Sequence, residues 1–292
     1  MSDEPSVGRG PETERGPAAN AELALLLEVA GTPKPGNVDR ERDFSGLHFE
    51  QFLAGAVGAR PGLERAADGV AFGEAFETAV AGMSRQDGGN TQFGCLLLLV
   101  PLVAATVRAD GEVPTRETVR AVCRATTVDD AAGFYRAFEL VDVAVTDPPA
   151  GMEPLDVRRG AAAVPTLRER EVTLWDLMRD SADHDANARE WAEGFPRTFR
   201  AAARIEEDDG PVTDRAARAF LDLLAEAPDT LVETQHGTAV AEEVRTRAAE
   251  IDDLAAAREW ADDLVDRGIN PGTTADLTAA GLYVALSRGV SP

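Results

Sequence analysis

Lysine is nearly missing from this chain of 292 residues: of 29 basic side chains only one, Lys34, is an ammonium, and the rest are guanidiniums. An ammonium is a compact charge with three rotatable donors and a guanidinium is a planar fork, so the one lysine kept is expected to do something arginine cannot. Positive charge as a whole is scarce. With 52 acidic residues and a formal charge of −23, no basic stripe exists to displace phosphate counterions, so neither nucleic acid nor an anionic membrane surface is an expected partner. So acidic a surface points to a salt-rich cytoplasm, where the Debye length falls to about 3 Å at 1 M salt and self-repulsion is screened. Cysteine is limited to Cys95 and Cys123, both in apolar or amphipathic stretches; this excludes a disulfide framework and reads as two free buried thiols. Aromatic residues make up 5%, and too few β-branched clusters accompany them to build a sheet. Long apolar runs are lacking as well: the longest, Cys95 to Val107, has 13 residues and contains Pro101, short of the roughly 20 that cross a bilayer. Residues 1–20 are polar, rich in Gly, Pro and Glu, with no apolar core. They are neither signal peptide nor membrane span, and a disordered leader is expected.

What the chain does have is helical periodicity. An apolar fraction of 44% suffices for a sizeable core, and apolar residues recur at spacings of three and four from residue 22 onward. The expectation is an all-α fold, a single multi-helix domain over 21–292. Expected helices include 22–30, one carrying Phe49, Phe52, Leu53 and Val57, a buried one over 92–107, and two with Thr115 and Thr127 as N-caps. Pro148, Pro149, Pro154 and Pro165 mark 145–165 as the main loop. Thr173 is expected to cap a long helix through Trp175, Met178 and Trp191, ended or kinked by Gly194 and Pro196. Helices near 213–226, 238–250 and 252–267 follow, and the turn 270–274 opens a last one over 275–286, with Thr273 or Thr274 as its cap.

Four polar segments sit at predicted helix edges: TPKPGNVD at 32–39, GGNT at 88–91, Asp229-Thr230, and NPGTTAD at 270–276. Helix N-termini offer unpaired N–H groups and a positive dipole end, so turns there can cradle phosphate without many basic side chains. Lys34, Gly36, Asn37, Gly89, Asn90, Thr91, Thr273 and Thr274 are therefore the candidate nucleotide- and phosphate-binding residues, although an ordinary N-cap explains Asn90, Thr91 and the two later threonines as well. A second cluster, Asp176, Asp180, Asp183, His184, Asp185 and Glu190, falls on a predicted helix, where i, i+4 spacing puts Asp176, Asp180 and His184 on one face. Asp180, His184 and Asp185 are candidate ligands for a divalent cation, since magnesium takes one or two carboxylates together with substrate phosphates. A solvated charged face is the plainer reading. His184-Asp185 also spells the dyad of the HD-type metal phosphohydrolases, with only His48 and His236 left to complete such a site.

Taken in order, TPKPGNVD at 32–39, HFEQFL at 48–53, GGNT at 88–91, ARE…GF at 188–195, DTLV at 229–232 and NPGTTADL at 270–277 resemble the triphosphoribosyl-dephospho-CoA synthase family. The resemblance implies an all-helical enzyme that joins the ribose C1 of ATP to the ribose 2′-hydroxyl of dephospho-CoA and expels adenine. Displacing a base from ribose passes through an oxocarbenium-like transition state, which calls for a carboxylate near C1, a proton for the leaving base and a clamp for the triphosphate. Asp39, Asp185, Glu190 and Asp276 are the candidate catalytic carboxylates; Lys34 and the GGNT turn are the candidate clamp, with ATP as substrate and magnesium beside it. After the Asn-Thr pair, the synthases of citrate and malonate decarboxylation systems carry His-Lys-Gly, where this chain has Gln92-Phe93-Gly94. That looks closer to an archaeal branch of the family, and the acceptor, dephospho-CoA or another compound, is left open. Two other readings stand beside this one: an HD-type phosphohydrolase, and a non-catalytic helical module that binds nucleotide or protein.

Overall fold

A computed structural model describes residues 15–109, 113–148 and 151–292, which form fifteen α-helices and no sheet. The first, α1 (Pro17–Ala30), begins inside the segment expected as a leader, because Pro17 occupies the first turn, where its missing N–H leaves nothing unpaired. Residues 1–14 of that leader lie outside the described residues. After a loop over 31–48 come α2 (Phe49–Ala67) and α3 (Phe72–Met83). These two touch backbone to backbone: a Cβ on Gly58 or on Gly82 would land on the carbonyl oxygen of the other. Overpacking costs about 1–3 kcal/mol even where side chains can give way. Gly82→Ala is therefore expected to lower the unfolding free energy by about 3 kcal/mol, seen as a drop in the urea midpoint at unchanged slope.

Next come α4 (Phe93–Arg108), α5 (Arg116–Arg124) and α6 (Val128–Ala137). Thr115 and Thr127 cap the last two as expected, each hydroxyl accepting an N–H three residues on, at 3.2 Å. The expected loop over 145–165 instead carries two short 3-10 turns and runs into α7 (Val164–Glu169). Pro165 starts this helix rather than preventing it, since proline is tolerated in a first turn. The single long helix expected from Thr173 is two, α8 (Leu174–Ser181) and α9 (Ala186–Glu193). Asp185 caps the second, its Oδ1 accepting from Ala188 N at 2.7 Å. Gly194, at φ +77°, ends α9, and Pro196 begins α10 (Pro196–Glu207).

Then follow α11 (Val212–Glu226), α12 (Thr230–His236), α13 (Thr238–Ala249), α14 (Leu254–Asp266) and α15 (Gly272–Ser287). The last helix starts three residues early, so Thr273 and Thr274 lie in its first turn and Pro271 takes the cap position they were expected to fill. The apolar helices α4 and α15 are buried on nearly all sides, as helices without a polar face must be. They lie side by side in the same direction: Cys95 meets Asp276 at one end, and Thr106 Oγ1 lies 2.6 Å from the Tyr283 hydroxyl further along. A smaller apolar cluster of Phe220, Val232, Val244, Trp260 and Leu264 joins the main core through α11 and α15, which contribute to both. Among the described residues no helix is long and apolar enough to cross a membrane.

Candidate active site

The parallel packing of α4 and α15 brings their N-termini together, and the starts of α9 and α12 join them. Asp276, in the first turns of α15, accepts from Asn187 Nδ2 of α9 at 2.8 Å and from the Cys95 thiol of α4 at 3.2 Å. The α9 amide of Ala186 donates to Thr230 Oγ1 of α12 at 3.3 Å, and that hydroxyl donates to Thr273 Oγ1 of α15 at 3.2 Å. Asp229 ties α12 to α15: one oxygen accepts from Leu231 N and Val232 N, the other from Thr274 N and Thr274 Oγ1, both at 2.7 Å. Four positive dipole ends thus converge on a few carboxylates. In α4 the Phe93 amide is taken by Asn90 Oδ1 at 3.1 Å and the Leu96 amide by Gln92 O at 3.0 Å; those of Gly94 and Cys95 find no acceptor among the described residues. Gly94 has to be glycine in this arrangement, because a Cβ there would fall onto Asp276 Oδ2.

Asp276 keeps a partial opening to solvent, but the packing around its carboxyl is dense. Burial lifts its pKa to about 7; the charges of Asp229 and Glu28 add to the rise, and the Asn187 and Cys95 hydrogen bonds oppose it. Burial also pushes the Asp229 carboxyl up, against the four bonds it accepts. The Cys95 thiol is pushed well up by burial and by Asp276, so it is a donor to that carboxylate rather than a nucleophile.

Lys34 lies beside this group. It is fully buried, and its ammonium donates to Glu28 Oε1 in a short contact and to Asn37 Oδ1 at 3.1 Å. Burial pushes the Glu28 carboxyl up while Lys34 pulls it down. Asn37 Nδ2 donates to Asn270 Oδ1 at 2.9 Å, and Gly36, at φ +77°, is pressed against the Ile269 carbonyl and Pro271. The motifs at 32–39 and 270–277 therefore form one layer. Within it Lys34, Gly36, Asn37, Thr273, Thr274 and Asp276 come together.

Other candidates are engaged in holding the backbone. Asp39 accepts from Lys34 N at 2.9 Å, Glu41 N at 2.8 Å and Arg42 N at 3.1 Å, closing its loop. Glu190 accepts from Arg197 N at 3.1 Å and Thr198 N at 2.9 Å, fastening α9 to α10. Asn90 is not the N-cap of α4, which is Gln92, but takes the Phe93 amide from two residues before that cap and donates to Asp142 O at 3.2 Å, while Gly89, at φ +68°, makes the turn before it. Thr91 Oγ1 is buried without a partner. The expected face of Asp176, Asp180 and His184 does not form, because α8 stops at Ser181 and His184 falls in the break. Asp180 pairs with Arg179, His184 is exposed and Asp185 is a cap. Of the other histidines, His48 contacts Asp43 and His236 contacts the Gly268 carbonyl. Among the described residues no three His, Cys, Asp or Glu side chains come together to hold a metal, so the HD-type dyad finds no further ligands.

Spacing alone missed Glu28, Cys95 and Asn187 as site residues, and it marked Asp229 only as part of a polar segment, without a role. One signal was available, a single acid inside the apolar stretch Leu25-Leu26-Leu27-Glu28-Val29.

The family model for ATP:dephospho-CoA triphosphoribosyl transferase matches residues 14–291. A crystal structure of a protein from Archaeoglobus fulgidus, named as a triphosphoribosyl-dephospho-CoA synthase, superposes with a TM-score of 0.68 at 27% identity, covering 81% of this chain and 99% of that one. None of the curated proteins matches.

Proposed function

The chain belongs to the ATP:dephospho-CoA triphosphoribosyl transferase family, an enzyme family that uses ATP, and from that membership we propose that its transfer takes place over Asp276. The observation that carries this reading is Asp276, a residue partly open to solvent whose buried carboxyl has a pKa of about 7, where α4, α9 and α15 begin. In the transfer the acceptor hydroxyl oxygen bonds to the ribose C1 of ATP as the bond from C1 to the adenine nitrogen breaks. The hydroxyl proton passes to the Asp276 carboxylate, and the departing adenine takes up a proton. A group that titrates near neutrality is suited to accept and return that proton. Glu28, Asp229 and Asp276 outnumber the one ammonium of Lys34 in this layer, a surplus of negative charge that favours the oxocarbenium character of C1. The same surplus disfavours a triphosphate directly over Lys34. In this reading Lys34, held by Glu28 and Asn37, sets the charge and shape of the layer, and the phosphates lie toward Gly89 and the free amides of Gly94 and Cys95. A magnesium ion on the triphosphate needs only one or two protein carboxylates, and no residue is assigned to it.

The test is incubation of the pure protein with ATP, magnesium and dephospho-CoA in molar salt. Free adenine and a product heavier by the triphosphoribosyl unit are expected. Release of phosphate or AMP without adenine overturns the reading. Adenine released only with a different hydroxyl acceptor keeps the chemistry and replaces dephospho-CoA.

A further inference from the structure

The transfer chemistry above makes no use of Gln92, although it is the most conspicuous idle polar side chain near the site. The residue is 1% exposed, yet neither its Oε1 nor its Nε2 has a hydrogen-bond partner. Beside it Thr91 Oγ1 is also buried and unpartnered. Both face Gly55 of α2, where a Cβ would come within 2.5 Å of the Thr91 oxygen and 3.0 Å of Gln92 Oε1. A buried donor or acceptor without a partner keeps its full desolvation penalty, and folded proteins retain few. Three such atoms lie together on the residues that lead into α4, their hydrogen-bonding capacity unused among the described residues. The backbone of Gln92 is fixed, its N–H donating to Met83 Sδ at 3.2 Å. One helical turn later on the same helix, Cys95 holds Asp276. Gln92 and the Cys95–Asp276 contact thus share the start of α4.

We propose that Gln92 reads the base of the nucleotide, Oε1 accepting from the 6-amino group of adenine and Nε2 donating to N7, with Thr91 Oγ1 at the edge of the same face. This rests on the transferase reading, in which that base is the leaving group. A carboxamide and this edge of adenine match donor to acceptor twice over. Hypoxanthine presents an oxygen where the amino group stood and leaves Oε1 unpaired; a 7-deaza base leaves Nε2 unpaired. The donor at N7 has a second effect, since it stabilises electron density that gathers on the ring as the bond to C1 breaks.

ATP, ITP and 7-deaza-ATP are to be compared on the wild-type protein and on Gln92→Met, by calorimetric binding and by the rate of base release. The wild type is expected to favour ATP over each analogue by about 10- to 100-fold, and Gln92→Met to bring both ratios close to one through a loss confined to ATP. A wild type without preference overturns the proposal. So do ratios equal in the two proteins, the result expected if the carboxamide only fills space, in which case its removal raises the thermal midpoint and nothing more. Gln92→Leu gives a second variant for the same comparison. Should no base leave from any nucleotide, the transferase reading falls, while the binding ratios still decide the role of Gln92.

Discussion

Asp276→Asn is expected to slow adenine release by about 10²- to 10⁴-fold, the range for loss of a general acid–base group, while making the folded protein more stable at neutral pH and above. The two effects share one cause. In the folded chain burial raises the Asp276 pKa from 3.8 to about 7, so between those values the folded state binds a proton that the unfolded state has released. The stability this group contributes is fully present below the unfolded value and is lost as pH rises through the folded one. Across the roughly 3-unit interval the loss amounts to about 4 kcal/mol at 1.36 kcal/mol per unit. Asparagine does not ionise and escapes it, although its amide faces one of the two donors, Asn187 or Cys95, and gives part of the gain back. Urea unfolding at pH 5 and pH 8 measures the difference: the gap between variant and wild type is small at the lower pH and grows to a few kcal/mol at the higher. A gap that does not widen with pH rules out the raised pKa. The wild-type rate should rise with pH through about 7 and then level off, as a step needing the ionised carboxylate must.

Much of the helical framework is readable in the sequence because its signals are local. A threonine cap is settled within three residues, which is why Thr115 and Thr127 mark helix starts correctly. The break between α8 and α9 is not readable in the same way: Asp185 is one acid among several, and only its Oδ1 bond to Ala188 N sets it apart. At seven residues, α12 is too short to show a period, so Asp229-Thr230 is legible as a helix edge while the helix it caps is not. The site divides along the same line. NPGTTADL places Asp276 by motif, but its partners Cys95 and Asn187 come from separate helices, and only the meeting of three helix starts identifies them. Asp39 and Glu190 have the same chemistry as Asp276, and spacing does not distinguish a carboxylate that accepts backbone amides from one that accepts only side-chain donors.

Lys34→Met is expected to destabilise the protein by about 3–5 kcal/mol, the cost of breaking a buried ion pair from one side. Lys34 and Glu28 are both almost wholly shielded from water. With the ammonium gone, Glu28 has no countercharge and Asn37 Oδ1 loses its donor. Adding Glu28→Gln removes the stranded charge and should recover much of the loss, as measured by denaturant unfolding of the single and double variants. Lys34→Arg tests shape rather than charge. The planar fork has no room at a position with zero exposure, and a loss of about 1–3 kcal/mol from overpacking is expected. Salt separates this pair from the arginine pairs on the surface, because a buried pair is screened far less than an exposed one. The Lys34→Met loss should therefore change little between dilute buffer and molar salt. If Lys34 acted only on bound phosphate, Lys34→Met would unfold like the wild type and lose nucleotide affinity alone. The buried contact with Glu28 predicts the opposite order, with stability lost first and activity lost as a consequence.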